Sequence, residues 1–253
     1  MLRRRRLTLH AAVAGAWALV LGQWSGQPEV VFGTVVSGRP AELPGIDRMV
    51  GLFINTLPLR VRIRPAQPAV DWLREVQAAQ GGSQQFEHTP LGRIQSWSEV
   101  PAGQPLVETL LVLLNAVDLS AAATGLRISY RGNVARSSFP LVVRVYPEPE
   151  LLLEMLFDPQ RLRREAVAAR LRSLAGVLAE LAAHPDRPVA ELAARLRQQD
   201  AAEHGRQARE RRATAGRRLR RGDAGSLASA HRDDTEPAES RPAPAQLPAG
   251  PGR

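Results

Sequence analysis

The sequence predicts an α/β domain, with a largely antiparallel sheet and helices on one face, followed by a disordered tail. Three observations carry this prediction. Apolar runs, β-branched or alternating with polar residues, recur at 30–36, 57–64, 106–115, 126–131, 139–146 and 150–157, as strands do. Apolar residues also recur at helical spacing, as Leu9, Val13, Ala16, Trp17 and Val20 near the start and Val167, Leu171, Leu174, Leu178 and Leu181 later. Beyond about residue 197 the chain turns to Arg, Ala, Asp, Glu and Pro without apolar periodicity, the composition of a solvated tail.

Composition narrows the function classes. A chain of 253 residues with 44% apolar content can bury a sizeable core. It contains no cysteine, which excludes disulfides, thiolate catalysis and cysteine metal sites and fits a reducing, cytoplasmic compartment. The net charge of +9 comes entirely from arginine on the basic side. Those arginines cluster at the ends, as Arg3 to Arg6 and as the run from Arg206 to Arg221. The arginine-rich tail has no aromatic residue for base stacking, so no specific nucleic-acid partner is expected.

The first twenty-two residues, MLRRRRLTLHAAVAGAWALVLG, admit two readings. A charged start before an apolar run is how a twin-arginine export signal is built. Helical spacing that ends at Gly22 equally describes a buried helix. The run is too short and too interrupted to span a bilayer, so no membrane partner is expected.

The remaining elements come in chain order. Residues 23–28 form a turn, and Val30 to Val36 a buried strand broken by Ser37, Gly38, Arg39 and Pro40. Pro44 and Gly45 extend that loop, and Met49 to Thr56 bring the chain back. Leu57, Leu59, Val61 and Ile63 then alternate with polar neighbours, giving a strand with one wet face. Val70, Leu73, Val76 and Gln80 share a helix face over 68–87, Asp71 sits early in that helix, and Gly81 and Gly82 interrupt it. Short links between the strands after Leu106 favour antiparallel neighbours.

Val30 to Ile63, with SGRP at 37–40 and VGLFINTLPLR following, resembles the carboxy-terminal half of a condensation domain of nonribosomal peptide synthetases. The family's glycine, phenylalanine, asparagine and threonine string matches Gly51, Phe53, Asn55 and Thr56. The helix before it, FEHTPLGRIQSWSEV at 86–100, FDPQRL at 157–162 and HPDRPVAEL at 184–192 extend the likeness over roughly 7–195. The resemblance implies a chloramphenicol-acetyltransferase-like sandwich lobe. It implies amide-bond formation between carrier-bound thioesters, with no cofactor held directly and phosphopantetheine arms supplied by partner carrier proteins. It also makes Asn55, Thr56, His88 and Asn115 candidates for lining the substrate tunnel. Each has a structural alternative: Asn55 and Thr56 satisfying backbone groups where a strand begins, and His88 capping or packing. Around Asn115 the sequence departs from the family, with Leu113, Leu114, Ala116 and Val117 in place of aromatic and acidic groups.

The family's catalytic HHxxxDG string occurs nowhere, and the histidines, His10, His88, His184, His204 and His231, are never adjacent. No GxSxG, Walker, dinucleotide or HExxH motif replaces it. No catalytic residue and no metal ligand is therefore assigned, and autonomous amide synthesis is not expected. The expected organisation is a condensation lobe over 1–196 and a disordered tail over 197–253. The expected partners are a separate amino-terminal lobe or a peptidyl carrier protein. A non-functional gene fragment and an exported small α/β binding protein are the alternatives. Separated from its neighbour, such a lobe should expose apolar surface along the lobe contact.

Overall fold

The computed structural model describes residues 1–39, 43–101, 103–114, 137–147, 150–202 and positions 205, 206 and 209. Residues Met1–Glu203 form one compact unit and His204–Arg253 a second. In chain order the first unit contains α1 (Leu2–Arg5), α2 (Leu9–Ser25), β1 (Glu29–Val36), a 3-10 turn (Ile46–Arg48), β2 (Asn55–Arg62), α3 (Ala69–Gln84) and α4 (Leu91–Ser96). It continues with β3 (Thr109–Leu113), β4 (Leu141–Pro147), β5 (Leu151–Phe157) and α5 (Arg164–Ala183), and the chain is helical again over 189–202, here α6.

The apolar run of the first twenty-two residues is the central helix α2. Thr8 accepts a hydrogen bond from the Ala11 amide at 3.1 Å and caps its start. Gly26 closes it in the left-handed conformation. Val13, Trp17, Leu19 and Val20 are buried among the other helices and the sheet, so this segment is core and the export reading loses its basis. Small residues allow close contact: a Cβ on Gly15 would lie 2.4 Å from Leu73 Cδ2 and 3.1 Å from the Trp72 ring. The two buried tryptophans find polar partners, Trp17 Nε1 donating to Thr109 Oγ1 at 3.4 Å and Trp72 Nε1 to the Arg62 carbonyl at 2.8 Å.

The sheet order is β2-β1-β3-β4-β5. Its outer ladders, β1 with β2 and β4 with β5, are antiparallel, whereas β1 with β3 and β3 with β4 run parallel. The α/β class and the outer ladders agree with the sequence prediction. The expectation of antiparallel neighbours throughout the later strands is corrected for β3 and β4. Parallel neighbours need a crossover of about a dozen residues or more, and the link from Leu113 to Leu141 exceeds that. The predicted strand over 126–131 lies outside the described residues. Val30, Phe32, Leu59, Val61, Leu111, Leu141, Val143 and Val145 pack against α2, α3 and α5 on one sheet face, as alternation along the strands requires.

Two further expectations are revised. Gly81 and Gly82 do not interrupt α3, which continues to Gln84. Both are exposed, and each weakens the helix by about 1 kcal/mol relative to alanine, an amount the packing of Val70, Trp72, Leu73 and Val76 exceeds. The folded unit also passes residue 196. α6 runs through 202, and Asp200 accepts from Ser173 at 2.7 Å and Arg170 at 2.9 Å. Polar contacts hold this last turn, so apolar periodicity does not report it.

α3 and α6 begin at matching proline corners, PAQP at 65–68 and PDRP at 185–188. Each corner caps the other's helix. Ala69 and Val70 amides donate to the carbonyls of Arg187 and Pro185, both at 2.8 Å, while Val189 and Ala190 amides donate to Gln67 and Pro65 at 2.9 and 2.8 Å. First-turn amides have no intrahelical partner, and here each helix start supplies what the other lacks.

Candidate functional site

The site is built on the loop between β1 and β2. Gly38 turns the chain at φ 62°, and a Cβ there would stand 1.8 Å from the Phe53 carbonyl oxygen, so only glycine lets the two ends of the loop meet. Arg39 then holds the loop's interior. Its guanidinium lies 4.3 Å from the Phe53 ring centroid and donates to the carbonyls of Ile46 and, at 3.0 Å, Met49. With its arginine and its aromatic both facing inward, the loop turns its aliphatic residues out. Val50 is fully exposed at 102%, Leu52 at 91% and Ile54 at 65%, beside exposed Met49. Scattered exposed apolar side chains are ordinary, but here several sit on one short loop.

Asn55 begins β2 and joins it to the turn before α4. Its Nδ2 donates to the Glu87 carbonyl at 2.8 Å and to the Thr89 carbonyl at 2.7 Å, and its Oδ1 accepts from the Thr56 amide at 2.8 Å. The structural alternative for Asn55 therefore describes this geometry. Thr56 is half-buried and pairs with Val35 across the ladder. His88 lies between the two carbonyls that Asn55 grips and is exposed. Phe86, next to Glu87, is also exposed. The structure thus brings Asn55, Thr56 and His88 together, while Asn115 lies outside the described residues.

Sequence reasoning passes over several contributors. Arg39 counts there only as part of a break, and its signal is an arginine after a glycine at a loop corner. Trp97, at the end of α4, is exposed with the Arg93 guanidinium 5.8 Å from its ring centroid. On a different part of the sheet, a cavity of about 410 Å³ lies between Ser137 to Pro140 and Leu156 to Arg161. None of the described candidate residues, Asn55, Thr56 and His88, lines it.

His10, on α2, is half-buried and its equilibrium is displaced. Burial lowers its pKa below 6.5 because the charged ring loses hydration. Its Nδ1 lies 2.6 Å from Gln80 Nε2, and Nε2 has no hydrogen-bond partner. Tyr146 is displaced the other way, raised first by desolvation and then by Glu154, whose carboxylate accepts from its hydroxyl at 3.1 Å. Among the described residues no cluster of His, Asp and Glu is placed to hold a metal, and no helix is long and apolar enough to cross a membrane.

The chain has relatives among known proteins. One of the linear gramicidin synthases of Brevibacillus parabrevis is 41% identical over 192 residues, covering 75% of this chain and 4% of that protein. Chondramide synthase of Chondromyces crocatus is 38% identical over 185 residues, covering 72% of this chain and 5% of that one. Among solved structures, one described as CT superposes with a TM-score of 0.64 at 21% identity, over 72% of this chain and 43% of that chain. The starter condensation domain of rhizomide synthetase with C8-CoA gives a TM-score of 0.56 at 24% identity, over 74% and 42%. The chain thus spans a small fraction of these synthases and under half of the matched structures. The profile of the Condensation domain family matches residues 2–202, which take in every described element of the folded unit, and the chain belongs to that family.

Proposed function

We propose that this chain is the carboxy-terminal lobe of a condensation domain. It works with an amino-terminal lobe that carries HHxxxDG, and with peptidyl carrier proteins whose phosphopantetheine arms deliver acyl thioesters in the cytoplasm. The observation that carries the reading is the ledge of Met49, Val50, Leu52 and Ile54, which projects from the stretch most like the family. Loop residues held outward by an inward-facing arginine suit a surface that a second lobe covers. Without the second lobe the chain has no general base, and loss of base and positioning groups costs several powers of ten in rate.

The test pairs the chain with the amino-terminal lobe of a related condensation domain and supplies aminoacyl-loaded carrier proteins. The pair should associate and form amide product, and neither lobe alone should. Leu52→Asp with Ile54→Asp should abolish association while leaving the melting temperature of the chain unchanged, because both side chains are already solvated. Failure of the intact lobes to associate, or amide formation by this chain alone, would overturn the reading.

A further inference from the structure

β3 and β4 run parallel to β1, so Thr109 and Leu141 lie at the entry ends of their strands, whereas the ledge follows the exit end of β1. At this far end of the sheet the last turns of α2 and the turn after β5 complete a cavity of about 310 Å³, large enough for one small molecule. Its walls are apolar: Leu21 and Trp24 from α2, Leu141 from β4 and Leu162 from the turn before α5. Trp24 is braced by the Arg170 guanidinium, 5.3 Å from its ring centroid. Thr109, also in the wall, accepts from Trp17 Nε1 at 3.4 Å, which leaves its hydroxyl hydrogen to donate to an occupant. Glu108 and Arg161 stand at the mouth, paired with each other at 2.9 Å and 56% and 54% exposed.

We propose that this cavity binds one free apolar amino acid as its zwitterion. The pair at the mouth is solvated and therefore weakly held. An entering zwitterion replaces it with two charged contacts, its ammonium on Glu108 and its carboxylate on Arg161 and the Thr109 hydroxyl. The amino acid's apolar side chain then leaves water for the wall of Leu21, Trp24, Leu141 and Leu162. Singly charged molecules fit worse. A carboxylate alone meets Arg161 but faces the like charge of Glu108, and an amine alone meets Glu108 but faces Arg161. A purely structural pair, tying the start of β3 to the turn after β5, would select none of these molecules. The site needs only this chain and stands independently of the condensation reading.

Titration calorimetry of the full chain with free L-leucine tests the proposal. Leucine should bind at one site with a Kd on the order of 1 mM, ordinary for a ligand of this size. It should also change the tryptophan emission, and most of that change should be lost in Trp24→Phe. Leucinamide, which lacks the carboxylate, and isocaproate, which lacks the ammonium, should bind about tenfold more weakly, as loss of one charged contact predicts. Glu108→Gln and Arg161→Gln should each weaken leucine about tenfold with unchanged melting temperatures, because both side chains are already solvated. Glu108→Gln should in addition bind isocaproate more tightly than the unaltered chain does, a reversal that a structural ion pair does not produce. Absence of saturable heat with leucine overturns the proposal, and so do equal affinities for the three ligands. Leucine binding that ignores both substitutions, or an emission change that survives Trp24→Phe intact, places the ligand elsewhere and refutes the site.

Discussion

Arg39→Ala should loosen the β1–β2 loop without unfolding the domain. The side chain donates to two backbone carbonyls and stacks on Phe53. Hydrogen bonds from charged groups contribute about 1.5–3 kcal/mol each when well shielded. Partial solvation here reduces the pair to about 1–2 kcal/mol together, and the ring contact adds about 0.5–1 kcal/mol. The loop should lose about 2 kcal/mol of its preference for the observed conformation, a factor of about 30 in population. Native-state hydrogen exchange reads this directly, since the amides of Ile46, Arg48 and Met49 bond to Leu43, Gly45 and Ile46 within the loop. Their protection should fall about 10- to 30-fold, while amides of α2 and β1 keep theirs. Arg39→Lys should lie between, retaining charge but losing the planar stack. Unchanged exchange at Ile46, Arg48 and Met49 in Arg39→Ala would refute the argument, and so would an equal loss of protection across α2.

Further perturbations test the core and the helix contacts. Asp200→Ala strands Arg170, whose side chain is only 13% exposed, so thermal melts should show a loss of about 3 kcal/mol. Arg170→Met added to it should recover part of that loss. Gly15→Ala forces a methyl group into Leu73 and Trp72 and should cost about 1–3 kcal/mol by urea unfolding, as overpacking does. His10 gives the chain a pH dependence: its folded pKa lies below 6.5, so at pH values beneath 6.5 the unfolded chain binds the extra proton. Stability should be full above that value and fall as the pH drops toward the folded pKa. His10→Gln should flatten urea midpoints measured between pH 7.5 and 5.5.

Much of the fold is legible in the sequence because its signals are local. The alternation of Leu57, Leu59 and Val61 marks their burial, and Val13, Trp17 and Val20 belong to the stretch of α2 that is buried on every side. The motif SGRP to GLFINT locates the loop, but not the cation–π contact within it, because stacking of Arg39 on Phe53 depends on how the whole excursion closes. For Asn55 the sequence admits both a substrate-facing and a structural role, and hydrogen-bond partners more than thirty residues away decide between them. Parallel pairing of β3 with β4 escapes for the same reason: register between distant strands is a property of the assembled sheet. Asp200 falls to the tail in the sequence reading because an ion pair leaves no periodic trace.

The paired proline corners carry a consequence for how the chain is made. Pro68 and Pro188 meet across 120 positions of sequence, and closing a loop of that length costs about 4 kcal/mol of chain entropy before any contact forms. During synthesis, α3 leaves the ribosome long before the carbonyls of Pro185 and Arg187 exist to receive its first amides. The start of α3 therefore stays incomplete until residues 185–188 have been made. A nascent chain stalled before residue 185 should remain protease-sensitive at α3, which makes this corner a checkpoint of translation as much as a joint of the finished fold.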